Sequence, residues 1–449
     1  MLPVIAIVGR PNVGKSTLFN CLTQGRDALV ADMPGMTRDR IYGRGELSGQ
    51  PFIIIDTGGL NGDDEQIADL TEAQSHRAIE EADKILFVVD ARVGLQIDDE
   101  TIAEQLRGTN KPVILVINKI DGLNPDLVAG EFSALGFAQQ LSTAAAHHRG
   151  TKQLLSMTLA SFMKDAQETT QQAEQAEIDG GKSQAIRVAV LGRPNVGKST
   201  LINRLLGEER VVVCDMPGTT RDSVFIPFTY RDKAYTLIDT AGVRRRAKVK
   251  QSVEQLSVIK SLQAIEAAHV VILVIDARMN ISDQDLKLLG QILKAGRALI
   301  VTVNKWDGLS TYQREQVKQE LDRRLTFIPY AQTKFISALH GTGVGLLMQL
   351  VDRCYASATK PLQTAKLTAI LERALSQHQP PLVKGRRVKL RYAHAGGHNP
   401  PTIIIHGNQV DRLPASYHRY LENVYREKLK LVGTPVRLVF KHGGNPFKS

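Results

Sequence analysis

Apolar residues in this chain come in short unbroken runs, separated by amphipathic or polar stretches. VIAIV (4–8), FIIID (52–56), ILFVVD (85–90) and PVILVIN (112–118) are followed, after a polar interval, by VAVLG (188–192), YTLID (235–239), VVILVID (270–276) and ALIVTVN (298–304). Continuous, β-branched runs of this length predict strands buried on both faces, whereas a sheet with one wet face would alternate. Between them STLFNCL (16–22) and EQIADLTEAQSHRAIEEA (65–82) carry helical spacing. Alternation of the two patterns predicts an α/β fold, a mostly parallel sheet with helices on both faces.

The pattern occurs twice. GRPNVGKST stands at 9–17 and again, letter for letter, at 192–200. The same shift lays DMPGMTRD (32–39) on DMPGTTRD (215–222) and DTGG (56–59) on DTAG (239–242). Three residues further on, FVVDAR (87–92) meets LVIDAR (273–278) and NKID (118–121) meets NKWD (304–307). Such self-similarity is the mark of a duplicated domain. The expected organisation is a first domain over 1–165, a flexible Gln/Glu/Thr-rich linker over 166–185, a second domain over 186–358 and a third over 359–449. The third has another rhythm: Leu367, Ile370, Leu371, Ala374 and Leu375 fall on one helical face, RRVKLRYAHA and PPTIIIHGN read as strands, Tyr417, Tyr420, Leu421, Val424 and Tyr425 share a second helical face, and TPVRLVFKH closes as a strand. The order α-β-β-α-β predicts a small α+β domain, its sheet covered by helices on one side.

Gly9-Arg10-Pro11-Asn12-Val13-Gly14-Lys15-Ser16-Thr17 follows the first apolar run and opens a helix; Gly192-Arg193-Pro194-Asn195-Val196-Gly197-Lys198-Ser199-Thr200 does the same in the second copy. In that setting GxxxxGKS forms a phosphate-binding loop, whose glycines let backbone N–H groups converge on an anion. Lys15 and Lys198 are then expected to reach the β- and γ-phosphates, and Ser16 and Ser199 to ligate Mg²⁺. Asp56-Thr57-Gly58-Gly59-Leu60 and Asp239-Thr240-Ala241-Gly242-Val243 end strands; the aspartate is placed to hold the metal, and the N–H of Gly59 or Gly242 to meet the γ-phosphate and release it after hydrolysis. Thr37 and Thr220 are the hydroxyls that can complete the metal shell when that phosphate is present. Asn118-Lys119-Ile120-Asp121 and Asn304-Lys305-Trp306-Asp307 follow the fourth apolar run. A carboxylate there accepts from guanine N1–H and the 2-amino group, a donor pair adenine lacks. Ala144 and Ala145 in the first copy, and Ser337, Ala338 and Leu339 in the second, are the expected guanine-ring loops.

This series of motifs resembles the translation-factor type of GTPase. Two such domains followed by a basic C-terminal domain resemble the Der (EngA) family of bacterial tandem, Era-like GTPases, across essentially the whole chain. The resemblance implies GTP hydrolysis at two sites, a KH-like third domain, and a role in assembly of the large ribosomal subunit through ribosomal RNA. It also bears on catalysis. Many Ras-like GTPases orient water with a glutamine after DxxG, but Leu60 and Val243 stand there. In GTPase relatives with a hydrophobic residue at that place the asparagine matching Asn12 or Asn195 helps bind K⁺, so potassium-stimulated hydrolysis is expected, a cation between the phosphates neutralising developing charge; the alternative is that both asparagines only shape the turn. The KH resemblance is incomplete, because no Gly-x-x-Gly loop precedes the last helix, and this puts a single-strand clamp in question.

Charge adds a partner. The chain has 449 residues and a net charge of +11. Residues 360–449 hold 16 Lys and Arg against 4 Asp and Glu, so the rest is near neutral and the basic character belongs to the tail. A polyanion is the expected ligand there, with Arg386, Arg387, Lys389 and Arg391 as a phosphate-contacting stripe. His394, His398 and His406 lack metal-ligand spacing. Three scattered cysteines (Cys21, Cys214, Cys354), no leader-like start and no apolar run near the roughly 20 residues of a membrane span predict a cytoplasmic protein with reduced thiols, without stable membrane association, a DNA partner or an expected oligomer. Two other functions compete: a signalling or scaffold GTPase whose basic tail meets anionic membrane, though the tail shows no lipidation motif, and an RNA-modification factor timed by GTP, though no catalytic cysteine constellation accompanies it.

Overall fold

Residues 2–23, 41–47, 50–57, 78–163, 185–207, 211–213, 224–239, 258–383 and 386–443 are described by the computed structural model. The chain divides into two compact units, 1–182 and 183–449.

In the first unit β1 (Val4–Val8), β2 (Ile41–Leu47), β3 (Gln50–Asp56), β4 (Lys84–Asp90), β5 (Val113–Asn118) and β6 (Gln140–Ser142) form one sheet in the order β2-β3-β1-β4-β5-β6. Every pairing except β2–β3 is parallel. The four predicted apolar runs are β1, β3, β4 and β5; Val4 to Val8 and Lys84 to Asp90 are all buried, as strands covered on both faces must be. β1 lies centrally with β3 on one side and β4 on the other, so the chain reverses its direction of travel across the sheet at β1. Loops leaving the carboxyl ends of strands at such a reversal enclose the ligand crevice of open α/β sheets.

The second unit repeats the plan with β7 (Ile186–Leu191), β8 (Val211–Val213), β9 (Val224–Tyr230), β10 (Lys233–Asp239), β11 (Val270–Asp276), β12 (Ala298–Asn304) and β13 (Gln332–Phe335), ordered β13-β12-β11-β7-β10-β9-β8. One face packs Val188, Val190, Ile272 and Ile300 against Leu201, Leu205, Leu347 and Val351; the other packs Ala189, Val271, Leu299 and Val301 against Ile265, Leu289 and Ile292. Both faces of the sheet are therefore dry, as the unbroken apolar runs require.

The tail has helix Thr364–Gln377, a short hairpin of β14 (Leu382–Val383) and β15 (Arg386–Arg387), then β16 (Lys389–Gly397), β17 (Thr402–Asn408), helix Ala415–Leu429 and β18 (Arg437–His442). β16 runs antiparallel to β17, and β18 parallel to it. The two helices bury Leu367, Leu371, Leu421 and Tyr425 against Ala393, Ile403 and Ile405 of the sheet. Tyr417, Tyr420 and Tyr425 are core residues that satisfy their hydroxyls on carbonyls, of His378, Ala374 and Leu367 respectively. This is how a buried tyrosine avoids the cost of an unpaired donor.

The tail is sewn to the second sheet. Where β13 leaves the edge of β12, the Leu299 N–H donates to Gly433 O (2.6 Å), and the Gly433 N–H donates to Tyr330 O (3.1 Å). Gly433 has φ +64°, and a Cβ there would stand 2.3 Å from Cys354 Sγ, so only glycine fits. Around this point Val432 N–H donates to Ser357 Oγ, Lys360 Nζ to Leu429 O, and the Arg426 guanidinium stacks 4.4 Å from the Tyr330 ring.

Candidate functional site

β1 ends at Val8, and Gly9 to Gly14 turn into helix Lys15–Leu22; β7 ends at Leu191, and Gly192 to Gly197 turn into helix Lys198–Leu206. Gly14 has φ +96° and Gly197 φ +98°, each as the residue before the helix. A Cβ on Gly14 would fall 2.4 Å from Asn118 Nδ2, and one on Gly197 2.3 Å from Asn304 Nδ2. The glycine is thus demanded twice over, by its backbone angle and by the guanine-loop asparagine above it. Asn12 and Asn195 also adopt left-handed angles, φ 64° and 62°, which asparagine tolerates better than most residues.

The two sequence-distant motifs are tied to each other. Asn118 Nδ2 donates to Val13 O (3.0 Å) and its Oδ1 accepts from Ala145 N–H (3.1 Å) and from the Thr143 hydroxyl. Asn304 repeats this with Val196 O (2.8 Å) and Ala338 N–H (2.9 Å). Lys119 Nζ bridges Asn12 O (2.6 Å) and Asp90 (2.7 Å); Lys305 Nζ bridges Asn195 O (2.8 Å) and Asp276 (2.6 Å). One asparagine and one lysine per copy thereby lock phosphate loop, guanine loop and ring loop into a single rim.

Lys15 is buried and donates to Gly9 O (2.7 Å) and Arg10 O (2.6 Å); Lys198 donates to Arg193 O (2.7 Å). Burial lowers the Lys15 ammonium to about 8, against the pull of Asp56, with Arg10 adding to the depression. Ser16 Oγ donates to Asp56 Oδ2 at 2.8 Å, and Asp56 is wholly buried at the end of β3. The neighbouring Thr57 hydroxyl donates to Ile7 O, fixing the start of the next loop against β1. Two hard oxygens on adjoining elements beside a phosphate loop fit Mg²⁺, which is held by one or two protein oxygens plus phosphate oxygens. Among the described residues no cluster of three or more His, Cys, Asp or Glu could hold a metal ion. In the second copy Ser199 opens its helix and Asp239 ends β10.

The base end differs between copies. The Ser337 hydroxyl, foremost, holds the Asp307 carboxyl below its usual range, and His340 approaches it at 3.4 Å. Ala144 stands where the second copy has Ser337 and brings no hydroxyl; Asp121 is met by Arg92 and His147, each at 3.5 Å. Ile120, Trp306 and Leu339 lie on the same loops; Trp306 packs at 4.2 Å on Phe335, and Leu339 is exposed. Thr37, Gly58, Gly59, Leu60, Thr220, Thr240, Ala241, Gly242 and Val243 lie outside the described residues, as does the linker up to residue 184.

Sequence reasoning missed two aspartates per copy. Asp90 and Asp276 fell within the aligned FVVDAR and LVIDAR but received no role; they hold the guanine-loop lysines. Asp99 and Asp285 hold the phosphate-loop arginines, with Arg10 Nε to Asp99 at 2.8 Å and Arg193 Nε to Asp285 at 2.9 Å. Both carboxylates also cap a helix by accepting from the backbone N–H of Gln96 or Ser282. Burial raises the Asp99 carboxyl, with Arg10 opposing the rise. Their signal was present in the sequence as two aspartates at the same offset in both copies. In the tail, Lys389 and Arg391 are exposed on β16, Arg386 and Arg387 lie on β15, and His394 and His406 meet Nε2 to Nε2 at 3.1 Å.

Comparison with known proteins matches three stretches of the chain. A family model described as 50S ribosome-binding GTPase matches residues 4–119 and 187–305, and one described as the C-terminal KH-domain-like part of EngA bacterial GTPase enzymes matches 362–441. A GTPase Der from Hahella chejuensis is 57% identical over all of this chain and 93% of its own length. One from Pectobacterium carotovorum is 57% identical over all of this chain and 95% of its own. Among solved structures, Era in complex with MgGDPNP and nucleotides of 16S ribosomal RNA is 20% identical, covering 75% of this chain and 92% of that one, with a TM-score of 0.32. With two nucleotide-binding folds of the ribosome-binding GTPase type, an EngA-type tail and full-length relatives of this identity, the chain belongs to the GTPase Der family and hydrolyses GTP.

Proposed function

We propose that both copies bind magnesium-complexed GTP and GDP, and that the chain acts as a monomeric, nucleotide-switched factor in assembly of the large ribosomal subunit, its basic tail meeting ribosomal RNA. The observation that carries the reading is the duplication of one constellation, phosphate loop, guanine-loop asparagine and lysine bridge, with the same partners in each unit. A copy kept only for folding would not need a rigid phosphate loop twice.

In this mechanism the backbone N–H groups of residues 12–17 and 195–200 surround the phosphates. Lys15 and Lys198 turn from the loop carbonyls to the β- and γ-oxygens, and Asp121 and Asp307 read guanine. Ser16 with Asp56, and Ser199 with Asp239, hold Mg²⁺, which when bound neutralises charge on the β- and γ-phosphates. Thr37 and Thr220 add their hydroxyls in the triphosphate state, and Gly59 and Gly242 sense the γ-phosphate. Leu60 and Val243 cannot orient water; Asn12 and Asn195 are the residues that would hold a K⁺, which when bound would supply positive charge against the developing phosphate charge. The tail's surplus of cations gives salt-sensitive RNA affinity with little sequence choice.

Co-sedimentation with purified large subunits in GTP, GDP and no nucleotide tests the switch. Association should depend on the nucleotide and weaken with salt. Equal association in all three states, or preference for anionic vesicles over ribosomal subunits, would overturn the reading.

A further inference from the structure

In each copy the loop after the third apolar run and the loop after the fourth lie side by side, and the copies finish this border differently. In the second unit the two loops enclose an open hollow of about 580 Å³, with Arg278, Asn280, Gln313, Gln316 and Glu320 among its lining. In the first unit the same loops are joined by Arg92 to Asp121 (3.5 Å) and by Leu95 N–H to the Glu131 carboxylate (2.8 Å). Aligning Asn118 with Asn304 puts Leu127 on Gln313 and Ile97 on Asp283. Four large aliphatics face outward here: Val93 (54% exposed), Ile97 (80%), Leu123 (40%) and Leu127 (76%). Leu127 lies one helical turn before Glu131, so it borders the joined loops rather than the far side of its helix.

The fold does not require Ile97 and Leu127, because the second copy builds the same elements with Asp283 and Gln313; at the positions of Val93 and Leu123 it keeps Met279 and Leu309. Scattered single apolar residues on a surface are ordinary, but two on adjoining loops with two more in the first turns of the helices that follow them form a patch, and such patches mark contact surfaces. The rim is acidic: Asp98, Glu100 and Glu131 are exposed, while Arg92 is paired with Asp121. Those carboxylates repel nucleic acid. They also disfavour a symmetric contact with a second copy, which would set the same acidic rim against itself.

We propose that this face of the first unit docks a cationic, apolar segment of a partner protein. Its aliphatic side chains cover Val93, Ile97, Leu123 and Leu127, and its lysines or arginines meet Asp98 and Glu100. The second copy, which carries Asp283 and Gln313 in place of Ile97 and Leu127, does not bind it.

The test uses the full-length protein, a fluorescent 14-residue helical peptide of leucine and lysine at amphipathic spacing, and a leucine–glutamate counterpart. Anisotropy should show binding of the leucine–lysine peptide alone. Ile97→Asp with Leu127→Gln imports the second copy's residues and should weaken binding at least roughly tenfold, given the apolar area lost, although it adds a carboxylate. Leu127→Gln alone should have a smaller effect in the same direction. GTP turnover of both variants should match the parent and so report an intact fold. Equal binding by parent and double variant, equal binding of the two peptides, or a parent dimer in light scattering that the double variant abolishes would each overturn the proposal.

Discussion

Replacing Asp99 with alanine removes a helix cap and a counter-ion together. The side chain of Asp99 is 0% exposed and that of Arg10 is 16% exposed, so the guanidinium is left with little water to replace its partner. Loss of a cap costs about 1 kcal/mol, and stranding one member of a buried ion pair costs about 3–5 kcal/mol. Arg10 keeps some access to solvent, which favours the lower end, so the sum is about 4 kcal/mol. For a unit of this size each kcal/mol moves the midpoint by roughly 2–4 °C, which gives a fall of roughly 8–16 °C. Differential scanning calorimetry should show this on the transition of the first unit only, and Asp285→Ala should shift the second. Arg10 stands between Gly9 and Asn12, so phosphate affinity should fall with stability: GDP binding weakens while guanosine binding is little changed. The counter-ion argument also sets a sign for the pair. Arg10→Met combined with Asp99→Ala should be more stable than Asp99→Ala alone, because no unpaired charge remains. If the double variant is as unstable as the single one, or if Asp99→Ala costs less than about 1 kcal/mol, the reasoning is wrong.

Further expectations concern the pockets. Lys15 sits at about 8, so between about 8 and its ordinary 10.5 the folded protein binds fewer protons than the unfolded chain; stability of the ligand-free first unit from this group therefore rises with pH across that window. Phosphate favours the charged ammonium, so GDP binding near pH 8 should take up protons, seen as a calorimetric enthalpy that varies with the buffer's ionisation heat; no buffer dependence at the first site would contradict the buried lysine. Turnover should rise when K⁺ replaces Na⁺, and equal rates would remove the cation from the mechanism. Ser337→Ala should weaken GTP binding at the second site roughly fivefold, the worth of about one hydrogen bond, and Ala144→Ser should strengthen the first; titration of each site with the other blocked would show it, and no change in either would mean the hydroxyl does not orient the carboxylate.

The buried parallel strands were legible because short, unbroken, β-branched runs bounded by polar stretches suit strands covered on both faces. The edges were less so. β2, at the edge of its sheet, and β9, between β10 and the edge strand β8, pair antiparallel, and IYGRGEL and VFIPFTY carry no run of the kind that marks β1 or β4. The phosphate and guanine loops were legible as motifs, yet the bonds between them were not. Asn118 reaches Val13 across 105 residues and Lys119 reaches Asn12 across 107, a proximity set by parallel strand order rather than by local pattern. Nothing local singled out Asp99, since the first turn of its helix also holds Asp98 and Glu100; which of three carboxylates turns inward is decided by the position of Arg10. In the tail the helical spacing of Tyr417 and Tyr425 pointed to the core, where both lie.

The seam at Gly433 makes the tail and the second nucleotide-binding sheet one mechanical piece. Because Gly433 completes the edge of β12 with main-chain bonds and lies against Cys354, a cut made near residue 360 would lay bare a strand edge on one fragment and the apolar underside of the tail on the other. A tilt of the second sheet would then reach the tail through main-chain bonds, as a handle carries its blade.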